Sequence, residues 1–256
     1  MSNLEVYQFN CRSDNFGVLV HDPEIGVTAS IDAPNADAIN QALAEKGWTL
    51  SHILLTHHHF DHVEGNEALK QKWGAIIVGN EADAKRLPGI DLTVKCGSSF
   101  QFGMHEVKFI DTPGHTIGHV ALYFAEQNLL FTGDTLFALG CGRLFEGSAE
   151  QMWQSLTALA ALPDETVVYC GHEYTKANAA FALSVDPDNV QLQDRAREID
   201  ELRAKNLPTL PTSIGAEKAI NPFLRAGESG IRAALNMAGA SDVAVFTEIR
   251  RLKDNF

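Results

Sequence analysis

The sequence is poor in cysteine, with four in 256 residues, at Cys11, Cys96, Cys141 and Cys170, and none in a C-x-x-C spacing. That argues against a thiolate zinc site and against a disulfide framework, and leaves reduced, partly buried thiols. Long apolar runs are also missing. No stretch approaches the ~20 residues that a membrane-spanning helix needs. The opening "MSNLEVYQFN" has neither the basic start nor the apolar core of a secretory signal. A soluble, cytoplasmic protein with no membrane partner is the expectation. Basic residues are scarce: 20 Lys and Arg against 33 Asp and Glu give a formal net charge of −13. Such a balance disfavours nucleic acid as a partner, because phosphate binding draws on clustered cations. One basic concentration remains, "EIRRLKDNF" with Arg250, Arg251 and Lys253. It suits either an anionic small molecule or a solvated helix end that complements the helix dipole. Internal repeats and low-complexity segments are absent, so neither a solenoid nor a disordered tail is expected.

What the sequence does contain is ordinary for a globular protein, 45% apolar and 21% charged residues, at a length that fits one large domain or a main domain with an appendage. In the first part, short runs rich in Val, Ile, Leu, Phe and Tyr recur: "FGVLV", "HILLT", "AIIVG", "EVKFI", "VALYF", "NLLFT" and "TVVYC". They are broken by Gly, Pro, Asp or His and read as strands. Between them, 36–46 and 149–162 have the apolar spacing of helices, and a further helix is expected to begin near Val63. The reading is a mixed α/β protein with helices on the faces of its sheet. After Tyr174 the strand-like alternation stops. The remainder predicts helices interrupted at Asp186-Pro187, then two more in "ESGIRAALNMAG" and "SDVAVFTEIRRLK" with Glu or Ser at their starts.

Four of the strand-like runs are followed at once by metal-capable residues. "HILLT" leads to His57, His58, His59, Asp61 and His62; "EVKFI" leads to "DTPGH" and His115; "NLLFT" leads to Asp134; and "TVVYC" leads to His172. If these strands share a direction, their loops meet along one sheet edge, where α/β proteins place ligand sites. In an extended backbone His57 and His59 share a face while His58 points elsewhere. A lone histidine after a strand is ordinarily a loop or core residue, whereas a dense H-x-H-x-D-H cluster with three further His or Asp positions points to metal. Seven candidates exceed the four ligands that one zinc takes, so two ions fit better than one, and a carboxylate such as Asp134 has the two oxygens needed to bridge them. His21, His52, His58, His105 and His119 are left as structural or surface residues. Of these, His119 follows His115 by four and would face the same way on a helix.

The segments "THHHFDH", "TPGHT", "FTGDT" and "CGHEYT", in that order, resemble the metallo-β-lactamase superfamily. Together with "GCGRLFEG", "ELRAKN" and "EIRRLKDNF" they are similar to the hydroxyacylglutathione hydrolases, or glyoxalase II, over nearly the whole chain. The resemblance implies a four-layered αββα sandwich over 1–173 that binds metal, and a helical substrate-binding part over 174–256. It further implies His57, His59 and His115 on one divalent ion, Asp61, His62 and His172 on a second, and Asp134 between them. The ions would be zinc, with iron or manganese as alternatives, since His and Asp ligands accept all three. Arg143, Tyr174, Arg250 and Lys253 match positions that contact glutathione. Phe145 stands where some relatives carry a tyrosine, so a hydrogen bond from that side chain is lost. The implied reaction is hydrolysis of S-lactoylglutathione by a monomeric enzyme, as a step in methylglyoxal detoxification. Hydroxide from the metal pair attacks the thioester carbonyl, and Asp61 both ligates and orients it. Alternatives on the same scaffold are a persulfide dioxygenase with a single iron, a hydrolase of another thioester, a β-lactamase or a ribonuclease. A non-catalytic metal-dependent binding module is the alternative of a different class.

Overall fold

A computed structural model describes residues 3–95 and 97–256, so Cys96 lies outside the described residues. The chain divides into two compact units. The first comprises the residues up to Asp111 together with Gly118–Gly133, and the second Thr112–Ile117 and Asp134–Phe256.

The first unit is built on two sheets. One takes β1 (Glu5–Cys11), β2 (Asn15–Asp22), β3 (Val27–Ile31), β4 (His52–Leu54), β5 (Ile76–Asn80) and β6 (Leu92–Val94) in that order. Its first three strands are antiparallel and its last four parallel. The parallel part needs crossovers, supplied by α1 (Ala36–Lys46), by α2 (Phe60–Val63) with α3 (Asn66–Trp73), and by a 3-10 helix over Glu81–Arg86. Helix α1 starts where Asn35 accepts from the Ala38 amide at 3.0 Å and stops at Gly47 with φ 69°, the end signals of an isolated helix. Ile39 and Leu43 of α1 and Leu69 of α3 pack against Leu19, Ile53 and Ile77 of the strands in one buried cluster. The expected helix near Val63 instead comes in two pieces. Gly65 separates them: its amide donates to Ala33 O at 2.8 Å, and a Cβ there would lie 3.0 Å from that oxygen. Asp61 and His62 therefore sit in the first, four-residue piece.

The other sheet of this unit has β7 (Ser99–Phe102), β8 (His105–Asp111), β9 (Val120–Phe124) and β10 (Leu129–Phe131), ordered β10-β9-β8-β7. His52 of β4 meets the rings of Phe100 and Phe102 edge-on, at 5.7 and 5.5 Å, so the two sheets face each other. Because β8 and β10 both pair antiparallel with β9, they run in one direction and deliver the segments after Asp111 and after Phe131 from the same sheet end.

The second unit opens with a two-by-two hairpin, β11 (Leu136–Phe137) and β12 (Gly140–Cys141). Next come α4 (Ala149–Ala160), β13 (Val167–Tyr169), α5 (Thr175–Val185), α6 (Val190–Ala204), β14 (Thr212–Ser213), α7 (Ile214–Ile220), α8 (Ser229–Ala234) and α9 (Asp242–Asp254). The break at Asp186-Pro187 falls between α5 and α6 as expected. Ser241 caps α9, whereas Glu228 at the start of α8 makes no side-chain cap. Among the described residues no helix is long and apolar enough to cross a membrane. Cys11, Cys141 and Cys170 are buried free thiols. Burial pushes Cys11 and Cys141 up to about 11 and raises Cys170 as well, so all three stay protonated near neutrality and are poor ligands.

Candidate metal centre

In the first unit, "THHHFDH" leaves β4 and turns into α2, and its imidazoles gather at the strand end. The ring of His57 lies 4.8 Å from that of His59 and 4.2 Å from that of His62. Their orientation is set by a carboxylate that the sequence pattern does not single out. Asp32, one residue past β3 in the left-handed region at φ 56°, accepts from Thr56 N at 2.7 Å, from Thr56 Oγ1 at 2.8 Å and from His62 Nδ1 at 2.8 Å. With its hydroxyl proton given to Asp32, Thr56 Oγ1 accepts from His57 Nδ1 at 3.0 Å. Both imidazoles thus carry their protons on Nδ1 and present Nε2 as the lone-pair nitrogen. Although Asp32, His57 and His62 have ligand atoms within 4.8 Å of one another, Asp32 already accepts three protons, and its part is orientation.

Asp61 is held by Asn15, whose Nδ2 donates to its Oδ2 at 3.0 Å and to its carbonyl at 3.2 Å. His58 turns to Asp83 instead, at 3.0 Å, and Asp83 also receives Arg86 Nε at 2.6 Å. His119, assigned from sequence to a structural role, is fully buried with its ring 4.9 Å from that of His57. The two rings are tilted by 31° to each other.

The second unit gathers His115, Asp134 and His172. Oδ2 of Asp134 lies 3.5 Å from His115 Nε2 and 3.3 Å from His172 Nε2. His115 Nδ1 donates to the Arg143 carbonyl at 2.9 Å, so its Nε2 turns a lone pair toward a carboxylate oxygen. Two lone pairs at that distance repel unless a cation stands between them, which is the arrangement of a metal site with an ordered outer partner. The donor set therefore fits divalent cations. Gly142 makes the close approach possible: a Cβ there would fall against the Asp134 carbonyl oxygen and 3.1 Å from His115 Nδ1.

Two of the residues expected to contact glutathione, Tyr174 and Phe145, stand against this trio. Tyr174 stacks on His172 with centroids 4.7 Å apart and an interplanar angle of 3°, and Phe145 lies 5.2 Å from the His115 ring. Both keep exposed ring surface, as does the Arg143 side chain, whose Nε is 3.8 Å from Asp254 Oδ1. Lys253 donates to Ala177 O at 3.1 Å, and burial together with the charges of Arg250 and Arg143 lowers its amine below the usual lysine range. Arg250 is 5% exposed. Its guanidinium donates to Cys141 O and to Asp254 Oδ1, both at 2.8 Å, and lies 5.1 Å from the Phe223 ring.

Residues 26–172 match the family described as the metallo-beta-lactamase superfamily, and 173–256 match the hydroxyacylglutathione hydrolase C-terminus. Among curated proteins, the hydroxyacylglutathione hydrolases of Brucella anthropi and Brucella ovis are 59% and 58% identical to the chain over 253 residues. Those alignments cover 99% of this chain and 97% and 98% of the relatives. Among solved structures, ETHE1 from Myxococcus xanthus is similar with a TM-score of 0.69 and 28% identity, over 96% of this chain and 90% of that one. TTHA1623, solved in a di-iron-bound form, has a TM-score of 0.63 at 24% identity over 85% of this chain and 100% of that one. The fold is the α/β metallo-β-lactamase fold with a helical C-terminal part, as the motifs led one to expect, and divalent metal ions are its cofactors.

Proposed function

The chain belongs to the hydroxyacylglutathione hydrolases of the metallo-β-lactamase superfamily, and on that premise we infer how its own residues carry the thioester hydrolysis. The reaction takes an S-2-hydroxyacylglutathione and water to glutathione and a 2-hydroxy acid, with S-lactoylglutathione as the proposed substrate and D-lactate as the product. We assign His57, His59 and His115 to one cation, Asp61, His62 and His172 to the other, and Asp134 to both, with zinc as the proposed metal. When bound, divalent cations lower the pKa of water to about 7 and polarise a carbonyl oxygen.

The protein's own contribution is orientation and charge. Asp32 and Thr56 hold His62 and His57 with Nε2 forward. Arg143 O does the same for His115, and the Tyr174 ring fixes the plane of His172. Asp61, fixed by Asn15, is the carboxylate proposed to ligate a cation and to orient the attacking water. The leaving group is a thiolate with a pKa near 8.5, so it departs without a general acid.

Glutathione carries two carboxylates. In an acidic protein the cations Arg143 and Lys253 offer them charge-assisted hydrogen bonds. Phe145 and Tyr174 offer ring surface, and Arg250 acts from its buried position by holding Cys141 O and Asp254. We propose that 1–173 serve metal binding and 174–256 substrate binding, in a monomeric cytoplasmic enzyme. The observation that supports this reading most is the Asp134 carboxylate flanked by two imidazole Nε2 atoms in a chain 59% identical to a hydroxyacylglutathione hydrolase.

The test is an assay of purified, metal-loaded protein with several glutathione thioesters, a glutathione persulfide and a β-lactam. Thioester hydrolysis without lactam cleavage or oxygen consumption is expected. A chain that leaves every thioester intact, or that consumes oxygen with the persulfide, overturns the reading.

A further inference from the structure

The hairpin between Asp134 and Arg143 is held in an unusual way. Leu139, at its turn, is buried and has φ 57°. That region is uncommon for a bulky side chain and persists only where surrounding structure over-determines it. Here the determinants are side chains from three helices. Asn221, one residue past α7, donates from Nδ2 to Phe137 O at 3.1 Å and to Gly140 O at 3.0 Å. Asn178 of α5 donates to Ala138 O at 3.0 Å. Glu217 of α7 accepts from the Leu139 amide at 2.8 Å, and Arg250 of α9 donates to Cys141 O. Every residue from Phe137 to Cys141 thus has a backbone group bound by a side chain of the helical part.

Glu217 and Asn221 are themselves fixed. Asn221 Nδ2 also reaches Glu217 Oε2 at 2.9 Å, Thr212 Oγ1 donates to Glu217 Oε1 at 2.8 Å, and Asn221 Oδ1 accepts from Phe223 N at 3.0 Å. The far ends of the hairpin lead straight to the chemistry. The Gly142 amide donates to Thr135 O at 3.1 Å, next to Asp134. Arg143 O receives the His115 proton, and the Phe137 ring lies 6.1 Å from that of His172. A shift of the turn would move all three.

We propose that Glu217 and Asn221 are positioning residues for the hydrolysis: they lock the Leu136–Cys141 hairpin and, through it, hold Asp134 and His115 in the geometry that retains the cations. The inference rests on the metal-dependent reading above. It gives residues of the C-terminal part a role in metal retention besides substrate binding.

The experiment compares full-length Glu217→Ala, Asn221→Ala, Glu217→Gln and, as a fold control, Ile231→Ala, which removes buried volume from α8 and none of these hydrogen bonds. Each is loaded with Zn2+ or Co2+. Metal retained against a weak chelator is read by elemental analysis, the site geometry by the Co2+ absorption spectrum, and kcat and KM separately below every melting temperature. Glu217→Ala and Asn221→Ala should lose metal affinity by about 10–100-fold, the range seen when partners that orient ligands are removed. They should show an altered Co2+ spectrum, and a fall in kcat larger than the change in KM. Glu217→Gln keeps an oxygen for the Leu139 amide and should return both readouts towards those of the unsubstituted chain, while Ile231→Ala melts earlier with metal affinity intact. Should either alanine variant fail to fold, Asn178→Ala removes one bond of the same set and is read the same way. Metal affinity and kcat of the alanine variants equal to those of Ile231→Ala would overturn the proposal. Failure of the hydrolase reading would show separately, as an unsubstituted chain that binds metal and cleaves no thioester.

Discussion

Asp32 accepts the Nδ1 proton of His62 at 2.8 Å and so decides which nitrogen of that imidazole faces forward. The same carboxylate, through Thr56 Oγ1, does so for His57. Replacing Asp32 with Ala frees both rings to take the other tautomer, and partners of this kind are worth about 10–100-fold in metal affinity. Elemental analysis of Asp32→Ala after dialysis should show that loss, with the helical content of the chain retained by circular dichroism. Metal content equal to that of the unsubstituted chain would remove Asp32 from the account.

Gly142 is the point where the backbone passes closest to Asp134. A Cβ there would overlap the Asp134 carbonyl oxygen, and that backbone atom has no easy way to yield. Gly142→Ala should therefore lose metal and activity together, as a displaced Asp134 lets go of its cations, and should melt at lower temperature. A variant with ordinary metal content and kcat would show that the hairpin tolerates the shift.

Lys253 is one of the two cations proposed above for the glutathione carboxylates. Its loss removes one hydrogen bond to a charged group, about 1.5 kcal/mol at the lower end, or roughly tenfold in affinity. Steady-state kinetics of Lys253→Ala should give a raised KM with kcat and metal content little changed. An unchanged KM would assign the amine to helix packing, through its bond to Ala177 O, and nothing more.

Much of the fold and of the metal centre is legible in the amino-acid sequence. Strands β2, β4, β5, β8, β9, β10 and β13 and helix α1 announce themselves by their apolar runs and spacing, and Asp186-Pro187 by the backbone restriction of proline. The seven proposed ligands stand out because they crowd behind four apolar runs. The residues that orient them do not stand out: Asp32 in "SIDAPN" has the look of a turn residue, and only its place after an apolar run hints otherwise. Glu217 and Asn221 sit in and just after a short helix behind the proline-spaced "NLPTLPTSIG", where the pattern predicts no helix. Their partners are backbone carbonyls and amides some 80 residues away, and side chain–backbone pairing over that separation has no sequence signature. Strands β11 and β12, two residues each, are too short for a period to show, and β1 escapes notice because its alternation is half polar and only partly buried.

Glu217 also gives stability a pH dependence. Burial raises its carboxyl pKa above the usual range, against the bonds from Leu139, Thr212 and Asn221 that lower it. The folded chain therefore keeps a proton that the unfolded chain has already lost. Stability from this group is complete below the unfolded pKa of about 4.3 and is lost as pH rises through the folded value. Gln cannot ionise, so the melting temperature of metal-stripped Glu217→Gln minus that of the metal-stripped unsubstituted chain should rise with pH over that window. A difference that is flat or falls would mean the carboxylate is better accommodated than its burial implies.

The most direct test of the central claim is a metal titration. Protein stripped with a chelator is given Zn2+ in increments while hydrolysis of S-lactoylglutathione is followed. Stripping should abolish activity, and activity should return along a curve that breaks at two ions per chain, as required if His57, His59, Asp61, His62, His115, Asp134 and His172 together hold a pair. Activity that survives stripping, or that is complete at one ion, would contradict a paired-metal thioester hydrolase.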